Sequence, residues 1–146
     1  MKENCKMSGT VREGDFEKRR GILLEMLRRC GEIVGRTRIQ KLVFLGQEEL
    51  GLPHLFEFSK NYYGPYSRDL TDTLERLISQ GDVIEEISES GDQIQYTYRP
   101  SDIASDKTGM DVPDESFDVI KRLSEIPLGV MLDYVYRKYL PESACS

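Results

Sequence analysis

The side chains best suited to hold a ligand are crowded into one stretch. Between residues 17 and 41 stand Lys18, Arg19, Arg20, Arg28, Arg29, Arg36, Arg38 and Lys41 against Glu17, Glu25 and Glu32, a net charge of +5. Residues 42 to 146 carry 9 basic and 20 acidic side chains, a net of -11. Such a chain should be bipolar, and a basic face of this kind contacts phosphates through guanidinium forks and a helix start. Arg28, Arg29, Arg36, Arg38 and Lys41 are therefore the candidate nucleic-acid or phosphate contacts. A second set, Arg68, Asp72, Glu75 and Arg76 followed by Glu85 and Glu86, would form a mainly acidic surface suited to a basic protein partner.

For catalysis the residues are sparse. His54 sits beside Pro53 with no neighbouring Cys, Asp or Ser pattern to make it a base or a ligand. The acidic pairs Asp69/Asp72 and Glu85/Glu86 fit helix capping and a solvated strand better than acid–base work. No phosphate-binding glycine loop, zinc-protease helix or nucleophile elbow is present. Cys5, Cys30 and Cys145 lack any CxxC spacing, and one histidine cannot complete a zinc site. The reading is of a protein that is not an enzyme and has no cofactor and no metal, set in a reducing, cytoplasmic compartment where Cys30 is a small core residue.

Periodicity supplies the elements that must position these groups. Residues 1 to 14 have none and read as a mobile leader; residues 15 to 146 read as one domain. A first helix spans Phe16 to Cys30 and ends at Gly31. After a short break from Glu32 to Gly35, Thr37 and Gln40 form a capping box that opens a second helix, stopped by Gly51 and Pro53. Leu55 to Tyr63 suggests a short strand or extended arm before the turn Gly64-Pro65, and the rings of Tyr62, Tyr63 and Tyr66 are expected to pack inward. Ser67 caps a third helix that closes at Gly81. Asp82 to Ser88 and Gln93 to Arg99 read as a hairpin about Glu89 to Asp92, with Val83, Ile87, Ile94, Tyr96 and Tyr98 on one apolar face. Pro100 to Val112 is a surface connection, and two more helices cover Asp114 to Glu125 and Leu128 to Leu140.

One hundred and forty-six residues, 38% hydrophobic and 32% charged, describe one globular domain able to bury roughly 70% of its unfolded surface. The leading segment has no apolar core to follow its lysines, and no run of 18 apolar residues offers a membrane span. Helix, helix, short strand, helix, hairpin is the order of an α+β winged-helix-like domain, here extended by two C-terminal helices. The third helix holds the position of a DNA-reading helix, yet it shows Asp69, Asp72 and Glu75. The wing carries Glu85, Glu86, Glu89 and Asp92, and carboxylates facing a phosphate backbone cost affinity.

The run Gly35-Arg-Thr-Arg-Ile-Gln-Lys-Leu42, with Tyr62-Tyr-Gly-Pro-Tyr-Ser67 some twenty residues on, resembles the uncharacterised YwgA-like bacterial and archaeal proteins. The resemblance covers Leu23 to Glu86 and continues into Asp133-Tyr-Val-Tyr136. More distantly, Lys41-Leu-Val-Phe-Leu45 and Tyr63-Gly-Pro65 are similar to the SocA-like or Panacea antitoxin domain, whose members neutralise toxins through protein contacts. The first resemblance implies architecture, since that family has no agreed activity. Together these readings lead to a protein interaction module, antitoxin-like or a regulatory adaptor. The alternative is a DNA-binding transcriptional regulator using residues 17 to 41, dimeric through its C-terminal helices.

Overall fold

A computed structural model describes residues 13–60, 64–102 and 112–140. Five α-helices and a three-stranded antiparallel sheet make up the described residues: α1 Glu13–Cys30, β1 Ile33–Val34, α2 Arg36–Glu49, α3 Arg68–Ser79, β2 Val83–Ser90, β3 Gln93–Pro100, α4 Asp114–Ser124 and α5 Leu128–Tyr139. The fold is α+β. The expected leader falls almost wholly outside the described residues, and helical structure begins at Glu13, three residues earlier than the periodicity indicates.

The break expected at Glu32 to Gly35 contains a strand. Ile33 pairs with Tyr98 and Val34 with Thr97, giving the sheet order β1-β3-β2. Two β-branched residues are too few to alternate visibly, and their partner lies more than sixty residues away. Gly35 then turns the chain from strand into helix at φ 92°, a left-handed angle that glycine tolerates best. Its amide donates to the Tyr96 carbonyl at 2.7 Å.

The expected capping box at Thr37 and Gln40 does not form, because no side chain caps α2 and the Gln40 amide is engaged elsewhere. Every residue from Ile39 to Gln47 is buried, so α2 is the central helix, packed by α4, α5 and β1. Its polar side chains hold the loop that follows. Gln40 Oε1 accepts from the Ser67 amide at 2.8 Å and its Nε2 donates to the Ser67 carbonyl at 3.0 Å. Seven residues on, Gln47 repeats the device on Phe56, with both bonds at 3.0 Å. Each glutamine thus pairs both backbone groups of a residue that no strand partner serves.

Of the stretch Leu55 to Tyr63 expected to be extended, the described part up to Lys60 is not a strand, and the clamps explain why: Phe56 is already bonded to a side chain, and the extended pairing among the described residues reduces to one bridge between Ser59 and Tyr66. Tyr62 and Tyr63 lie outside the described residues. Tyr66, expected to pack inward, is 37% exposed, with its hydroxyl 2.7 Å from Thr71 Oγ1. Gly64 takes φ 100°, and a Cβ there would stand 3.0 Å from the Tyr136 ring. Ser67 caps α3 as the sequence indicates, accepting from the Leu70 amide at 3.1 Å.

The β2–β3 hairpin turns on Gly91 and Asp92, tighter than the four residues expected, and places Glu85 opposite Tyr98 and Ile87 opposite Tyr96. Val83, Tyr98 and Ile33 at its base enter the core shared with α1 and α2. α4 buries Phe117 and Ile120, α5 buries Met131 and Val135, and Pro127 opens α5.

Gln40→Leu should lower stability by roughly 2 kcal/mol, because it strands the buried amide of Ser67 and takes one of two donors from its carbonyl. Thr37→Ala, at the expected cap, should change it by less than about 0.5 kcal/mol. Urea unfolding midpoints of the two variants check this pair.

Candidate interaction surface

The apolar face of the hairpin outruns the core. Val83 and Tyr98 are covered, but Ile87, Ile94 and Tyr96, farther out on the same face, are 59%, 57% and 40% exposed. With Val34, Arg36, Arg38 and Leu128, the residues Ile94 and Tyr96 line a groove of about 760 Å³ between the hairpin, the start of α2 and the start of α5. Exposed large apolar side chains gathered in one place mark interaction surfaces more often than scattered ones do.

The floor of this groove is a closed polar network. Arg36 donates to the Tyr98 hydroxyl at 2.8 Å and pairs with Glu75 at 2.9 Å and Glu85 at 3.2 Å. Tyr98 in turn donates to Glu85 at 2.6 Å. The Tyr98 bond, more than the Arg36 bonds, holds the Glu85 carboxylate below its ordinary pKa, so it stays ionised. Burial and then Glu85 push the Tyr98 hydroxyl up to about 12. Burial alone would lower Arg36, but Tyr98, Glu75 and Glu85 outweigh it. Through these bonds Arg36, Tyr98 and Glu85 position the hairpin on α2.

The residues expected to form a basic face have other occupations. Arg28 pairs with Glu25 at 3.1 Å, and Arg29 with Glu25 at 2.8 Å and Asp114 at 2.7 Å. Lys41 is buried, its Nζ donating to the Pro65 carbonyl at 2.9 Å, and cannot reach an external phosphate. Arg36 is closed by the network above. Arg38 differs: it donates to the carbonyls of Val34, Ser124 and Ile126, with no carboxylate in ion-pair range among the described residues.

The second set divides as well. Arg68 and Asp72 form an exposed pair at 3.7 Å one turn apart, and Arg76 lies over the Phe16 ring. Glu86 pairs with Arg99 across the hairpin at 2.8 Å. Glu85, expected on an outer acidic surface, turns inward to Tyr98 and Arg36, while Glu75 stays exposed and pairs with Arg36 at the surface. The signal for this was available: a two-residue turn at Gly91-Asp92 fixes the register that sets Glu85 against Tyr98. Gln40 and Gln47, seven residues apart on a helix, were missed because a capping role explained the first and nothing in the sequence singled out the second.

A second hollow of about 720 Å³ lies under the loop after α2, lined by Arg19, Phe44, His54, Phe58, Asp69 and Tyr139 among others. His54 is exposed there, 3.4 Å from Glu48. Beside it Glu49 accepts hydrogen bonds from Tyr134 and Tyr139 and pairs with Lys138 at 3.0 Å, tying α5 to α2. Among the described residues no cluster of His, Cys, Asp or Glu could hold a metal, and no helix is long and apolar enough to cross a membrane. Cys30 is half-buried, and that burial raises its thiol pKa.

An α+β domain built on one buried helix, with an apolar hairpin beside it, is the class these observations define. Comparison with known proteins narrows it. The chain is similar to an uncharacterised protein, YwgA, of Bacillus subtilis (strain 168), 30% identical over 95 residues that make up 63% of this chain. The match spans 57% of the Bacillus protein, little more than half its length. No family model matches the chain, and no solved structure matches it.

Burial lowers the pKa of Lys41 below its ordinary 10.5. The unfolded chain therefore binds more protons between the lowered value and 10.5, and this residue's contribution to stability rises with pH through that window. The stability of the wild type relative to Lys41→Met should accordingly increase from pH 7 to pH 10.5, read as the difference between their urea midpoints.

Proposed function

We propose that this is a winged-helix-like domain working as a non-enzymatic protein interaction module in the cytoplasm, antitoxin-like or adaptor-like in role. The order α1, β1, α2, α3, β2, β3, with β1 against β3 and a protruding hairpin, supports the winged-helix reading. The observation that carries the function is the exposure of Ile87, Ile94 and Tyr96 on the hairpin beside the groove. Burying three such side chains against a partner is worth several kcal/mol at about 25 cal/mol per Å² of apolar surface. The YwgA likeness adds no activity, since that protein is itself uncharacterised.

Duplex DNA is the less favoured ligand. Of the five basic residues first considered, Lys41 is internal and Arg28, Arg29 and Arg36 each serve the protein's own carboxylates, while the hairpin tip carries Glu89 and Asp92. Val130 and Tyr134 stand exposed one turn apart on α5, within the C-terminal helices expected to carry a dimer contact.

Capture from the native host by the wild type, compared with Ile94→Ser/Tyr96→Ser, tests the reading. At least one protein should be retained tenfold less by the double variant, whose unfolding free energy should stay within about 0.5 kcal/mol of the wild type. The same proteins are mixed with a duplex DNA pool at low and physiological salt, with Arg28→Ala/Arg38→Ala as control. Salt-sensitive DNA binding lost in that control and kept by the hairpin variant would replace this reading with the regulator.

A further inference from the structure

The groove is bordered by an unfinished sheet. β3 runs for eight residues, but β1 pairs only with Tyr98 and Thr97, and its last bond is the Gly35 amide on the Tyr96 carbonyl. Backbone groups alternate in direction along a strand, so that bond fixes which residues of β3 face the β1 side: Tyr98, Tyr96 and Ile94. Gly35 then leaves the sheet into α2. The amide and carbonyl of Ile94 are left pointing across the groove, with no partner among the described residues. The Ile94 and Tyr96 side chains stand exposed on the same segment, and one wall is set back far enough to form the 760 Å³ hollow.

Charge adds a second constraint. Three charged side chains line the groove: Arg36, Arg38 and Glu85. Arg36 and Glu85 neutralise each other at 3.2 Å. Arg38 keeps its charge: its Nε and Nη1 donate to main-chain carbonyls, and its Nη2 has no acceptor among the described residues. The groove is thus apolar along the strand edge and cationic at the end where α2 begins.

Resting on the protein-interaction reading above, we propose that this groove takes up an extended segment of a partner protein. The segment adds as a strand antiparallel to β3 in continuation of β1, with apolar residues two apart over Ile94 and Tyr96 and a carboxylate at Arg38. Strand addition of this kind draws affinity from main-chain hydrogen bonds and selectivity from alternate side chains.

The test is selection of a random peptide display library on the full chain, with binders then made synthetically. Recovered peptides should show alternating apolar residues and an Asp or Glu, and should bind Ile94→Ser/Tyr96→Ser at least tenfold more weakly than wild type. Arg38→Gln should cost a peptide with the carboxylate at least tenfold and its amide counterpart far less. N-methylating the peptide at single backbone amides in turn should weaken binding at alternate positions. Peptides that need Ile94 and Tyr96 but tolerate every N-methylation would overturn the strand mode while leaving the hairpin as the interaction surface. Recovery of no peptide, or of peptides indifferent to the hairpin variant, would overturn the groove as a peptide site; if capture of the native partner still depends on Ile94 and Tyr96, the broader reading survives.

Discussion

Complete burial of α2 is the constraint on which the rest depends. A helix enclosed from Ile39 to Gln47 can keep polar side chains only if each finds a partner inside the protein. Gln40, Lys41 and Gln47 meet that demand by bonding the backbone of the segment that leads from α2 to α3. The exchange is mutual: the loop gains hydrogen bonds that no sheet supplies, and the helix gains a cover. Gly64 belongs to the same arrangement, since a side chain there would collide with Tyr136 beside the Lys41 stem.

From this centre the two ends of the molecule are fixed differently. α5 is tied to the end of α2 by Glu49 and its ring of Tyr134, Tyr139 and Lys138, all on side chains. The hairpin is tied to the start of α2 through Arg36, Tyr98 and Glu85, and only at its base. Beyond Glu85 and Tyr98 nothing among the described elements covers it, so its apolar face reaches solvent. The same network that anchors the hairpin neutralises Arg36 against Glu85, converting a segment that is basic in sequence into one whose groove retains a single net charge at Arg38.

Much of the architecture was legible in the sequence. Helix periodicity, Ser67 as a cap, the glycines and prolines that end elements, and the alternating hairpin all depend on near neighbours, which a linear reading can see. β1 was not legible because two residues carry no period and their partner is distant. The site was read less well for a related reason. Arg36 and Lys41 are both cations in one basic run, yet one meets two carboxylates from α3 and β2 and the other is buried against a proline carbonyl. Net charge along a segment counts residues, whereas the field a ligand meets depends on which acids the fold returns to them.

An apolar hairpin in water risks pairing with itself, and the distribution of charge around the sheet bears on that risk. The outer strand, β2, is the longer free edge and carries Glu86 and Glu89, so edge-to-edge approach of two copies brings carboxylates together. The inner edge, at Ile94, has no such guard in its own strand; it is flanked instead by α2 and α5, which narrow access to a slender extended chain. Two edges of one small sheet are thus managed in opposite ways, one by repulsion and one by shape. An arrangement that only had to suppress aggregation could have placed a lysine or glutamate at Ile94 at little cost to stability, since the residue is more than half exposed and supports no core contact. That it is isoleucine, next to an exposed tyrosine and above a polar network already closed on itself, is what favours recognition over mere tolerance at this edge.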